Sequence, residues 1–401
     1  MRFLLIIADG MADLPIRKLG GKTPLELAGA ENLDMLASSG SSGLMHPPLL
    51  GGPPSSDVAI LNILGYDPSK EYTGRGPLEA AGAGVDMAKG GIFFRCNLCE
   101  IDREGTIINE NVNLSPKIWT KVEVRLNSAL SEEFEEHEVF FKHTHSYRGV
   151  LVIRGSRVSP NVGFPQPKRL ESIAKPEVAA GLGGSPSIKA EAEKTAKILN
   201  RFREMSSEIF ATYSSGSRVL EIIPWGGGTC PRFKDFSKKY GIKAAGIAGV
   251  PLFKGICRLC GISVVEVPGA TGGPDTNTLA KAEGALKMLQ SHKLAMIHIE
   301  ATDELSHKGD LEGKIEMIKK VDAMVGYLLD RVNLEETRIA LLPDHVTSTE
   351  LRIHTEHPVP VVIAGGGFPT DGLKVYSESS ARDGGLGHFL RADLIPTLLM
   401  R

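Results

Sequence analysis

Apolar runs that stop on metal-type ligands constrain this chain more than any other feature. Phe3-Leu4-Leu5-Ile6-Ile7-Ala8 ends on Asp9, and Ala295-Met296-Ile297-His298-Ile299-Glu300-Ala301 leads to Asp303 and His307. Ile339-Ala340-Leu341-Leu342-Pro343 ends on Asp344 and His345, with His354 shortly beyond. Uninterrupted apolar strands belong to sheets covered on both faces, as parallel sheets are. The pattern predicts strands over 2–8, 294–300, 338–342 and 358–365, with a helix over about 310–331 and a closing helix from about 392. Strands alternating with amphipathic helices predict an α/β fold with a doubly wound, mostly parallel sheet. Sites in such sheets lie at the carboxyl ends of the strands, where these ligands fall.

The middle of the chain has another texture. Shorter strand-like pieces such as Glu138-Val139-Phe140-Phe141 and Val150-Leu151-Val152-Ile153 occupy 106–160, and a Pro/Gly/Ser-rich stretch over 159–187 precedes a helix predicted at 188–208. Ligands at both ends and a distinct middle predict an insertion. Residues 1–76 and 242–401 form a discontinuous metal-binding domain in this reading, and 77–241 a smaller inserted α/β domain that holds substrate.

At 401 residues the chain is long enough for two domains. Its net charge of -2 argues against a nucleic-acid binder, which carries a basic face, but not against small anionic substrates. No run reaches the ~20 apolar residues needed to cross a bilayer, so a cytoplasmic protein without membrane partners is expected. The pairs Cys96/Cys99 and Cys257/Cys260 have zinc-motif spacing. Cys96 and Cys99 sit in a strand-like run over 92–101, where i and i+3 point to opposite faces, so small buried side chains are the simpler reading.

Asp303 and His307 are four residues apart, on one face of a helical turn, and suit one cation. Asp344 and His345 are adjacent at a strand end and can diverge toward two neighbouring metals. Carboxylate and imidazole ligands fit Mn, Zn, Co or Mg. The loop Gly51-Gly52-Pro53-Pro54-Ser55-Ser56-Asp57 precedes a short helix predicted over 57–64, so Ser56 would stand at a helix N-terminus as a nucleophile, with Ser55 as competitor. Cations for an anionic substrate are sought at Arg75, Arg148, Lys254 and Arg258, and the apolar surroundings of Lys254 favour a catalytic role. His143, His145, His292, His298 and His357 are read as structural or solvent-exposed.

Together the motifs resemble the archaeal-type, 2,3-bisphosphoglycerate-independent phosphoglycerate mutases of the alkaline phosphatase superfamily. The resemblance rests on Ala8-Asp9-Gly10-Met11, Ser56-Asp57-Val58-Ala59, Leu64-Gly65-Tyr66-Asp67-Pro68 and Thr73-Gly74-Arg75-Gly76-Pro77-Leu78-Glu79-Ala80. Phe94-Arg95-Cys96-Asn97-Leu98, Gly269-Ala270-Thr271-Gly272, Ala301-Thr302-Asp303-Glu304, Asp344-His345 and Pro358-Val359-Pro360 add to it. It implies an alkaline-phosphatase-like fold and two divalent metals, manganese first, with no bisphosphoglycerate cofactor. One metal would be held by Asp303, His307 and His354, the other by Asp9, Ser56, Asp344 and His345. It also implies that Ser56, which directly precedes an acidic residue, carries the phosphoryl group between the oxygens of phosphoglycerate.

Departures from the family pattern are Gly163-Phe164-Pro165-Gln166-Pro167, Trp225-Gly226-Gly227-Gly228, Lys308 and Val346-Thr347-Ser348. The Met11-Ala12-Asp13 opening and the Trp-Gly segment resemble a related branch thought to act as homoserine kinase. A phosphotransferase or phosphatase on the same core is therefore the alternative.

Overall fold

The computed structural model describes residues 1–47, 54–102, 104–164, 166–168, 177–178, 185–213 and 218–400. The expected loop residues Gly51, Gly52 and Pro53, Pro165, and much of the 159–187 stretch lie outside these. The chain divides into two compact units, Met1–Tyr72 with Phe233–Arg401, and Thr73–Arg232. The sequence placed the breaks near 76 and 242.

In the discontinuous unit, Arg2–Ala8 runs between Leu294–Ile299 and Thr337–Leu342, parallel to both. Ala244–Ile247 and Ser263–Val264 extend the sheet on the Leu294–Ile299 side, again parallel. On the other side come Val359–Gly365, antiparallel to its neighbours, then Gly40–His46 and Gly387–Leu390. Leu4, Ile6 and Ala8 face one side of the sheet, where they pack with residues of the helices Glu31–Ser38, Thr278–Met288 and Leu311–Leu329. Leu5 and Ile7 alternate to the other side and are equally buried, which is why the run lacks a polar face. Each such aliphatic side chain contributes roughly 1.5–3 kcal/mol by leaving water.

Register then places the ligands. Ala8 pairs with Ile299 and Ile7 with Leu342, so Asp9 leaves the sheet level with Glu300 and close to Asp344. The backbone N–H of Asp9 still donates to the Ile299 carbonyl at 2.8 Å, which holds it there.

The inserted unit has an antiparallel five-stranded sheet. Ile92–Ile101 pairs with Arg148–Arg154 and Val219–Thr229, Glu138–His145 pairs with Arg148–Arg154, and Ile107–Asn109 pairs with the end of Ile92–Ile101. The reading of 106–160 as strand-like pieces missed the helix Pro116–Glu133. It buries Trp119, Val122, Leu126 and Leu130 at helical spacing and covers the sheet beside Pro186–Phe210. The segment Trp225-Gly226-Gly227-Gly228 belongs to an 11-residue strand. There a Cβ on Gly227 would stand 2.2 Å from the Phe94 ring.

All five cysteines are free. Cys96 packs beneath the two helices, whereas Cys99 packs with Phe164, Ile223 and Trp225. Burial pushes both thiols up, away from the thiolate a zinc site needs. No helix among the described residues is long and apolar enough to cross a membrane.

Candidate metal centre

Asp303 and His307 lie on the helix Ala301–Lys308, which ends at Gly309 in the left-handed conformation. Asp344 and His345 follow Thr337–Leu342, and a two-stranded ladder of Val346–Ser348 with Ile353–Thr355 brings His354 back. Ser56 is the first residue of the helix Ser56–Ile63 and is buried. Next to it, Asp57 accepts a hydrogen bond from the Tyr72 hydroxyl at 2.6 Å.

These residues converge. His345 Nε2 lies 3.1 Å from Ser56 Oγ and 3.4 Å from both Asp9 Oδ1 and Asp344 Oδ2. Asp303 Oδ1 lies 3.2 Å from His354 Nε2 and 3.4 Å from His307 Nε2, and the two imidazole nitrogens are 2.9 Å apart. The His345 and His354 rings stack at 3.8 Å, which joins the two sets.

The outer nitrogens show which way each ring points. His307 Nδ1 meets the Arg352 carbonyl at 2.9 Å and His354 Nδ1 meets the Pro54 carbonyl at 2.7 Å. A carbonyl only accepts, so both Nδ1 atoms carry hydrogen, a tautomer assigned from the hydrogen-bond network. In the neutral rings both Nε2 lone pairs therefore face each other and the Asp303 carboxylate. Only a proton or a metal cation among them turns that repulsion into attraction.

The carboxylates make the same point. Both oxygens of Asp9 and Oδ2 of Asp344 are buried without a hydrogen-bond partner. Burial, then the charges of Asp344, Glu300 and Asp303, holds the Asp9 carboxyl well above its ordinary range. Burial and Asp303 push Asp344 up to about 6. Burial also opposes charge on Asp303, but His307 and His354 outweigh it and hold that carboxyl well below the usual range. Orphaned buried oxygens and converging imidazole nitrogens fit a divalent cation.

Among the described residues, three groups come close enough to hold an ion: Asp303 with His345 and His354, Asp9 with Asp344 and His345, and Asp9 with His298 and Glu300. The third corrects the reading of His298 as a satisfied structural histidine. Its ring is buried against Phe253, its Nε2 is 3.3 Å from Asp9 Oδ2, and neither ring nitrogen has a hydrogen-bond partner. Burial drives its pKa down to about 4. A positive charge already stands beside this group: the buried Lys281 ammonium donates to the His298 carbonyl at 2.9 Å. His298 and Glu300 sit at a strand end, the same signal that singled out Asp9.

The expected cations separate. Lys254 lies on the helix Pro251–Leu259 with its ammonium 2.6 Å from Glu266. Arg258 is exposed on the last turn of that helix. In the inserted unit, Arg75 reaches Glu79 at 3.2 Å and Arg95 bonds the same carboxylate. Burial opposes charge on Glu79, but Arg95, Arg75 and Arg148 together hold it down to about 2. Trp225 lies under the guanidiniums of Arg75 and Arg95, and its indole N–H bonds Asn97 at 3.1 Å. Sequence reasoning missed Arg95 and Glu79, although both lie within motifs it quoted.

A family model described as the metalloenzyme superfamily matches residues 1–400. The chain is 37% identical over 409 residues to the 2,3-bisphosphoglycerate-independent phosphoglycerate mutase 1 of Methanothermobacter thermautotrophicus, covering 100% of this chain and 97% of that protein. It is 36% identical over 411 residues to the corresponding mutase of Pyrococcus horikoshii, covering 99% and 96%. Among solved structures, a Pyrococcus horikoshii protein superposes with a TM-score of 0.79 at 32% identity, covering 99% and 96%. The cofactor-independent phosphoglycerate mutase of Thermoplasma acidophilum superposes at 0.64 with 26% identity, covering 99% and 98%. The ligand groups and the matching family model together support a divalent-metal requirement.

Proposed function

We propose, for a chain that belongs to the metalloenzyme superfamily and within it to the 2,3-bisphosphoglycerate-independent phosphoglycerate mutases, that it interconverts 3-phosphoglycerate and 2-phosphoglycerate through a phosphoserine at Ser56. The observation that carries the choice of nucleophile is the seat of Ser56. Its hydroxyl is buried at the start of a helix, 3.1 Å from His345 Nε2 and within the cluster of orphaned carboxylates.

Two divalent cations, manganese first and zinc, cobalt or magnesium as alternatives, would ease loss of the serine proton and neutralise charge on the transferring phosphoryl group. Asp303, His307 and His354 would hold one, and Asp9, Ser56, Asp344 and His345 the other. In the first half-reaction Ser56 Oγ gives up its proton and bonds phosphorus as the bond from phosphorus to the glycerate 3-oxygen breaks. That oxygen takes up a proton. In the second half the glycerate 2-oxygen loses its proton and takes the phosphoryl group, and Ser56 Oγ is reprotonated. Nothing external is consumed, so the cycle needs no 2,3-bisphosphoglycerate.

The discontinuous unit is the phosphoryl-transfer half in this reading, and the insert is the half that holds glycerate. Arg95, Arg75 and Arg148 all lie close enough to act on Glu79, a gathering of positive charge suited to a carboxylate or phosphate. Lys254 and Arg258 supply further positive charge on the metal-bearing unit, Lys254 as a catalytic cation. A soluble phosphorylated substrate would favour a cytoplasmic reaction.

Purified protein with Mn2+ is expected to convert 3-phosphoglycerate to the 2-isomer without added bisphosphoglycerate. Release of inorganic phosphate in place of the isomer would overturn the mutase reading, because a phosphoserine open to water is a phosphatase intermediate. Absence of both activities would favour a phosphotransferase with another acceptor. Ser56→Ala should remove turnover and Ser55→Ala should keep most of it; the reverse result would move the nucleophile to Ser55.

A further inference from the structure

Thr347 is fully buried beside the ligands and is not itself one of them. Its hydroxyl lies 2.7 Å from Asp303 Oδ1 and 3.0 Å from His345 Nδ1. A hydroxyl has a single proton to give. An ionised Asp303 can only accept, so the Thr347 proton goes to Asp303 and the Thr347 oxygen must accept from His345 Nδ1–H. That leaves the His345 Nε2 lone pair facing Ser56, Asp9 and Asp344. The opposite arrangement would strand the Asp303 oxygen and turn an N–H toward Ser56.

We infer that Thr347 is a positioning residue that couples the two halves of the metal centre, through the chain His345 Nδ1–H to Thr347 Oγ1–H to the Asp303 carboxylate. His307 and His354 are set by backbone carbonyls. The outer partner of His345 is instead a side chain that also holds a ligand of the other half. The inference rests on the ligand assignment proposed above.

The surrounding structure fixes the hydroxyl. The Thr347 backbone N–H donates to the Ala12 carbonyl at 3.1 Å, and its own carbonyl accepts from the buried Lys314 ammonium at 2.9 Å. Lys314 is held in turn by Asp13 at 2.9 Å. In the short ladder Thr347 stands directly opposite His354. Gly10, in the left-handed conformation at φ +61°, leaves room for it, since a Cβ there would come within 2.5 Å of Thr347 Oγ1. The turn after Asp9 is thus shaped around this hydroxyl as well as around the ligand.

Partners that orient metal-bound imidazoles typically change metal affinity by about 10- to 100-fold when removed. Calorimetric titration of metal-free protein with Mn2+ should therefore show Thr347→Val weakening both binding events by about 10- to 100-fold. Thr347→Ser, which keeps the hydroxyl, should restore them. Unchanged binding by Thr347→Val would overturn the inference, as would Thr347→Ser proving as weak as Thr347→Val, which would assign the effect to the methyl group. A parent protein that takes up no Mn2+ would remove the ligand assignment and this inference with it. Should Thr347→Val fail to fold, nitrogen-15 NMR of the His345 ring in the parent protein decides: hydrogen on Nδ1 is expected, and hydrogen on Nε2 alone overturns it.

Discussion

The two units both bury ionisable groups, and the two gatherings differ in sign. In the sheet-based unit, Asp9, Asp303, Asp344 and Glu300 gather around histidines whose lone pairs face inward, and both Asp9 oxygens and Oδ2 of Asp344 stay without a donor. In the insert, Arg75, Arg95 and Arg148 gather around one carboxylate, Glu79, with Trp225 beneath two of the guanidiniums. The first suits a cation, and the second gathers positive charge.

Changing the residual charge in either unit tests this contrast. The largest effect is expected from Asp344→Asn. The acceptor for the Gly10 and His345 N–H groups remains, but a neutral amide replaces the orphaned oxygen. Losing several kcal/mol of charge stabilisation should cut turnover by about a thousandfold or more in a steady-state assay. The metal-free variant should meanwhile resist urea better than its parent by about 1–3 kcal/mol, since one buried charge is gone. A variant less stable than its parent would mean that the cluster is balanced without metal.

Glu79→Gln acts in the other direction. It takes the carboxylate from the buried Arg95 guanidinium and should cost about 3–5 kcal/mol in urea unfolding, partly recovered by added inorganic phosphate. A neutral outcome would show that solvent, not Glu79, balances that arginine.

The smallest effect should come from Glu378, which is neither a proposed metal ligand nor one of the groups around Glu79. It accepts from the Asp13 N–H at 3.0 Å and the Thr23 hydroxyl at 2.7 Å, and burial raises its pKa from 4.5 to about 7. A raised carboxyl pKa means the folded state holds a proton that the unfolded chain has released. Its contribution to stability is therefore lost as pH rises from about 4.5 through about 7. Glu378→Gln should flatten that slope, by under about 2 kcal/mol after allowance for solvent screening. An unchanged slope would place the titration elsewhere.

The sequence made the metal-bearing unit more legible than the insert. Strands buried on both faces need unbroken apolar runs, so Arg2–Ala8, Leu294–Ile299 and Thr337–Leu342 were visible directly, and with them Asp9 and Asp344. The strand Gly40–His46, reading Gly-Ser-Ser-Gly-Leu-Met-His, was not visible, because its place is set by the neighbours it squeezes between. There a Cβ on Gly40 would sit 2.1 Å from the Ile363 carbonyl. His298 and Glu300 share the strand-end signal of Asp9, but what brings them and Thr347 to the cluster is not written as a motif. Their roles come from register and from a hydroxyl's single proton, and neither leaves a motif. The helix Pro116–Glu133 does carry a helical spacing at Trp119, Val122, Leu126 and Leu130, set among shorter strand-like runs.

The sheet's arrangement also has a consequence for synthesis. Arg2–Ala8 lies between two strands that begin at Leu294 and Thr337. At about 5–20 residues per second, the ribosome leaves this segment without either partner for roughly 15–60 s. Such a run, apolar and free of proline and charge from Phe3 to Ala8, is the kind that joins other chains edge to edge. The insert, with its sheet closed within 73–232, can fold during that wait. The strand that organises the metal centre is thus the segment most in need of a chaperone's protection.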